Sequence, residues 1–150
     1  MAQRLESALA RATTAREALR GSFEAYVGFA IDRPGVFRIM FRPELCDPQR
    51  FPRAQAAGDH AYAALQAMVR RLHGADDEAQ SLASAYWSQV HGLACLLVDG
   101  PLATRLPTAA LRHAHLRQVS EAMLTLLDPQ DPTRSRTSVQ DGESVPSKGE

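Results

Sequence analysis

At 150 residues the chain is long enough for one domain with its own apolar core. Seventeen basic residues balance seventeen acidic ones, so no global field draws it to nucleic acid or to an anionic membrane surface. Two cysteines, Cys46 and Cys95, make no disulfide framework and no signal peptide opens the chain, which points to a reducing cytoplasm. The longest apolar run, residues 90–98, is interrupted by Gly92 and falls well short of the ~18 residues of a membrane-spanning helix, so no membrane partner is expected.

Alanine, leucine and arginine dominate, β-branched residues are sparse, and Gly and Pro sit where they would punctuate helices, which predicts an all-α bundle of about five main helices plus a short one. Residues 2–12 place Leu5, Ala8, Leu9 and Ala12 on one helical face. Residues 14–31 stack Leu19, Phe23, Tyr26, Val27 and Ala30 at helical spacing and stop at Asp32-Arg33-Pro34-Gly35. The apolar stretch 36–41 reads as one or two helical turns because Pro34 suits a first helical position, with a strand as the alternative. Pro48 and Pro52 bracket a connector, after which Ala57, Ala61, Ala64, Leu65, Met68 and Leu72 form the stripe of a long helix ending at Gly74. Asp76, Asp77 and Glu78 supply a cap and first-turn acids for a further helix that runs to about residue 99, before Gly100-Pro101. The last helix spans about residues 107–127 and stops at Asp128-Pro129. The domain is therefore expected over residues 1–128, with a disordered tail at 129–150, where the sizeable apolar side chains are reduced to Val139 and Val145.

The last two long helices each carry two apolar stripes where an ordinary surface helix has one. In one, Leu82, Tyr86, Leu93 and Leu97 lie on one side and Trp87, Val90, Ala94 and Val98 on another; in the other, Leu116, Val119, Met123 and Leu126 overlap Ala109, His113, Leu124 and Leu127. One face would pack on the domain and the other on a second subunit, which makes Gly92, Leu93, Leu97, Leu116, Val119, Met123 and Leu127 the expected dimer contacts. Ser88 and Gly92, four apart, would let two backbones approach closely. The competing reading makes both helices central in a larger bundle.

Little in the chain points to chemistry. His91 and Cys95 have metal-ligand spacing at i and i+4, but no acid or second His-Cys pair completes a tetrahedral set, so no metal and no cofactor are expected. His91 reads instead as a satisfied core or pocket histidine. His113 and His115, two apart, point to different faces. No nucleophile elbow, converging carboxylates or glycine-rich phosphate loop appears, so no catalytic residue is assigned.

The string from Tyr26-Val-Gly-Phe-Ala-Ile through Asp-Arg-Pro-Gly-Val-Phe-Arg-Ile-Met-Phe41, followed by Trp87-Ser-Gln-Val-His91-Gly92-Leu-Ala, resembles the C-terminal regulatory domain of tetracycline-repressor-like transcription factors. More narrowly it resembles the subgroup marked by a Trp, a His and a Gly, which match Trp87, His91 and Gly92. The resemblance covers about residues 14–127 and implies a homodimer formed through the last two helices, with a small apolar or amphipathic effector held inside each bundle. Phe23, Tyr26, Phe37, Met40, Tyr62, Leu65, Met68, Trp87 and His91 are the expected ligand contacts; without the resemblance, such an aromatic and methionine set reads as filled core. Family members bind DNA through an N-terminal helix-turn-helix that precedes a connecting helix. Residues 1–13 look like a remnant of that connecting helix, so this chain is expected to reach DNA only through a domain it does not contain. The alternative function is a stand-alone helical dimerisation protein with neither ligand nor DNA.

Overall fold

The computed structural model describes residues 1–42, 44, 45, 47, 49–73 and 79–126. Over these residues the chain is helical without strands: α1 (Ala2–Arg11), α2 (Ala15–Asp32), α3 (Pro34–Met40), α4 (Pro52–His73), α5 (Ala79–Val98), α6 (Pro101–Arg105) and α7 (Ala109–Leu126). Leu127, the tail at 129–150, Cys46, Gly74 and the acids at 76–78 lie outside the described residues.

α2 is the axis of the bundle, and α1, α3, α4, α5 and α7 all pack against it. Its start is written in the sequence. The Thr14 hydroxyl accepts the Glu17 N–H at 3.1 Å, and the Glu17 carboxylate in turn accepts the Thr13 N–H at 2.8 Å and the Thr13 hydroxyl at 2.6 Å, a reciprocal cap on otherwise orphaned donors. The stripe Leu19, Phe23, Tyr26, Val27 and Ala30 is buried throughout. Arg33 leaves the helical region and Pro34 opens α3, where its missing N–H costs nothing.

The stretch 36–41 is helical as expected, and the strand alternative falls: α3 runs to Met40, and its first turn is closed by Phe37 N–H donating to the Arg33 carbonyl at 3.0 Å. α4 begins at Pro52, ahead of the expected stripe, because the proline fits a first helical turn and the Phe51 carbonyl accepts from the Ala54 and Gln55 N–H groups. A second short helix, α6, fills the link between the last two long helices, and α7 starts at Ala109 with Thr108 accepting the Leu111 N–H. Gly100 makes the bend before α6 possible: a Cβ there would lie 2.8 Å from the Leu96 Cα, which only glycine avoids.

The core holds Phe23, Leu19, Val27 and Leu97, each nearly inaccessible to solvent. Its buried polar groups are paired. Ser22 donates to the Leu19 carbonyl at 2.8 Å, the Tyr86 hydroxyl donates to the same carbonyl, and Ser120 reaches the Glu24 carboxylate and the Arg117 carbonyl at 2.9 Å each. α1 lies close on α2, where Gly21 admits Ala8: a Cβ on Gly21 would stand 3.1 Å from that of Ala8. At the far end of α2, Asp32 accepts from Arg4 of α1 and lies against His113 of α7, both at 2.9 Å, so one carboxylate ties three helices. Burial raises the Asp32 pKa, but the hydrogen bonds from His113 and Arg4 outweigh it and hold the carboxyl below its usual range.

The two buried phenols set a pH limit. Burial pushes Tyr26 up to about 12, with a polar contact from Trp87 opposing it, and pushes Tyr86 strongly upward as well. A phenol raised in the folded state contributes stability that is complete below its unfolded value near 10 and is lost as pH rises toward the folded one. Melting temperatures should therefore hold to about pH 10 and then fall. The alkaline limb should be shallower in Tyr86→Phe, which also gives up the Leu19 hydrogen bond at a cost of about 1 kcal/mol at neutral pH. A flat profile through that range would contradict the burial of both rings.

Candidate effector site and family membership

His91 is the centre of the most suggestive surface of the bundle, where α2, α3 and α5 meet. Tyr26 projects from α2 and its hydroxyl lies 2.9 Å from His91 Nδ1. Four residues on along α5, Cys95 brings its Sγ to 3.5 Å from His91 Nε2. Burial lowers the His91 pKa, which favours the neutral ring, and a neutral imidazole offers one donor and one acceptor to groups that can take either role. Burial likewise raises the Cys95 pKa, with the Asp99 charge adding to it, so the thiol stays protonated and poorly nucleophilic.

Aromatic rings close around the imidazole. Phe37 and Phe41, one turn apart across the end of α3, have centroids 5.5 and 4.5 Å from that of His91, and Tyr26 stands edge-on to Phe37 at 6.0 Å. Phe37 is buried while Phe41 is 41% exposed, so one ring completes the core and the other leaves a face open. Phe37, Phe41 and His91 thus floor a groove of about 310 Å³, within the low end of ligand-site volumes. Arg38, Arg42 and Asp99 form its rim, with Cys95 between them. Arg38 grips Asp99 with its Nε at 2.8 and 3.0 Å from the two carboxylate oxygens, and that grip lowers the aspartate pKa.

The nine expected ligand contacts divide three ways. Tyr26, Phe37 and His91 come together at this groove, with Met40 half-buried against the core nearby. Tyr62 and Trp87 pair with centroids 5.6 Å apart, Tyr62 also bonded to the Ser84 hydroxyl at 2.9 Å and Trp87 also in polar contact with Tyr26; Trp87 is 43% exposed. Phe23, Leu65 and Met68 are core residues, Phe23 packing edge-on to Tyr86. Phe41, Arg38, Arg42 and Asp99 were not anticipated. Arg38 lies within α3, but Phe41 and Arg42 follow its last residue and Asp99 follows the end of α5, so helical spacing within those elements gave no signal for them.

A larger groove of about 710 Å³ runs between α1 and α2. Its walls mix Arg4, Arg11 and Arg20 with Glu17 and Glu24 over alanines and Gly21, so it has neither a large apolar floor nor one sign of charge. Among the described residues no group of three His, Cys, Asp or Glu side chains could hold a metal, and no helix is long and apolar enough to cross a membrane.

The expected dimer contacts are also redistributed. Leu93, Leu97, Leu116 and Met123 are buried within the single subunit, and Val119 packs partly against its core. α5 covers both α2 and α4, so its inward arc takes members of both apolar stripes. What faces outward is the row Ala85, Ser88, Gly92 and Leu96, where a Cβ on Gly92 would meet nothing within 4 Å. On α7 the outward row holds Leu111, Gln118 and Ala122. Leu96 and Leu111 are 42% and 47% exposed.

The profile of the tetracyclin repressor-like, C-terminal domain family matches residues 19–119, from α2 into α7, and the chain belongs to that family. Domains of this family are parts of transcriptional regulators. The match carries the family and not the narrower Trp-His-Gly subgroup. No curated protein and no solved structure matches the chain significantly.

Proposed function

We propose that residues 1–126 act as the effector-sensing and dimerisation domain of a transcriptional regulator whose DNA contacts are made by a separate helix-turn-helix domain. The observation that carries this reading is the groove at His91: an aromatic floor drawn from α3 and α5, backed by Tyr26 of α2 and open on the exposed face of Phe41. Three helices contribute, so a bound apolar molecule would change how α3 and α5 sit on α2. Movement there has a route onward, because Asp32 at the end of α2 holds Arg4 of α1 and His113 of α7. α1 is in turn the segment that resembles the connecting helix. A ligand shifts such an arrangement only through unequal affinity for two packings.

A panel of hydrophobic compounds screened by thermal melting tests the reading. Compounds that fit should raise the melting temperature in a concentration-dependent way, since binding to the folded state alone stabilises by mass action. The same compounds should lose the effect in Phe41→Ser, which alters an exposed ring without emptying the core. A panel without a single saturable shift would remove the sensing half of the proposal.

A further inference from the structure

Resting on the reading of the His91 groove as the effector site, we infer that its ligand is a small aromatic acid: a flat body of one or two rings on Phe37, Phe41 and His91, with a carboxylate directed to Arg42. Size comes first. A groove of about 310 Å³ has room for a body of one or two fused rings. Charge then selects the head group. Two guanidinium groups, Arg38 and Arg42, share the rim with one carboxylate, Asp99. Arg38 is held by Asp99 through its Nε and a terminal nitrogen. His91 and Cys95 add no charge at neutral pH, because burial favours the neutral form of each. One positive charge is therefore in surplus, and a planar guanidinium suits a planar carboxylate. The aromatic floor favours a ring over an alkyl body, since the exposed face of Phe41 and the edge of His91 offer stacking and edge-on contacts.

The matched pair 2-naphthoate and 2-naphthamide, titrated calorimetrically into the full chain, tests this directly. The acid should bind about tenfold or more tightly than the amide, the gain expected of a hydrogen bond to a charged group. Arg42→Gln should bring the acid to the affinity of the amide, and Asp99→Asn, which removes the competing charge and releases Arg38, should tighten the acid. Amide binding should stay the same in all three proteins, and melting curves should confirm that each is folded. Equal binding of acid and amide, or an Arg42→Gln variant that loses both together, would overturn the carboxylate preference. So would failure of both probes to bind while neutral compounds still raise the melting temperature; in each of these cases the effector reading survives. Only the absence of any saturable ligand would sink both.

Discussion

Replacing Phe23 by alanine should cost about 3 to 5 kcal/mol, whereas Trp87→Ala should cost about 1 kcal/mol or less. Both are large aromatic side chains on helices, and the sequence alone treats them alike. Phe23 is 1% exposed and packs edge-on to Tyr86 at the centre of the α2–α5 contact, so its removal leaves a cavity that α2 cannot close without losing its other neighbours. Trp87 is 43% exposed and rests on Tyr62, so alanine there empties surface and not core. Against a typical domain stability of about 5 to 15 kcal/mol, the first loss takes the protein close to unfolding and the second is tolerated. Chemical denaturation of the two variants beside the parent checks this. A Trp87→Ala loss as large as that of Phe23→Ala would mean that Trp87 is a core residue, and the surface around Tyr62 would need another account.

The contrast shows what a pattern of apolar residues carries and what it does not. α2 was legible nearly to the residue from its one stripe and its Pro-Gly stop, each with its own physical signal. α5 was legible as a helix, but its two stripes were not divisible into inward and outward sets. Packing on α2 and α4 together demands a broad buried arc, and Tyr86, Val90, Leu93, Ala94, Leu97 and Val98 all fall within it. In the outward row of Ala85, Ser88, Gly92 and Leu96 only the small pair Ser88 and Gly92 drew notice in the sequence, because the row is weakly apolar and a search for large side chains favours the buried arc. At the site, Tyr26, Phe37 and His91 could be chosen from their helical context and family resemblance. Arg42 and the exposed face of Phe41 could not, because both lie beyond Met40, where helical spacing no longer tells which way a side chain turns.

Gly92→Arg should separate the two copies of the proposed dimer while leaving each subunit folded. Within one subunit nothing stands within 4 Å of a Cβ at this position, so an arginine meets open space and improves a helix that glycine weakens. Across a pair of crossing α5 helices the same side chain would stand where two backbones approach. A central steric and charged obstruction of that kind is worth at least about 2 kcal/mol, or roughly a thirtyfold weaker dimer. Leu97→Asp is the informative contrast. Leu97 is wholly buried inside the subunit, and an unpaired carboxylate there should unfold the chain before its association can be measured.

Sedimentation equilibrium of the parent chain and Gly92→Arg at tens of micromolar, with circular dichroism on the same samples, is the most direct measurement of a domain that turns one face of α5 inward and the other toward its copy. The account predicts a parent at twice the monomer mass and a Gly92→Arg variant at the monomer mass, still helical and cooperatively folded, its melting temperature lowered only by the stabilisation that association gives the parent. A parent that sediments as a monomer, or a Gly92→Arg variant that remains dimeric, would contradict it.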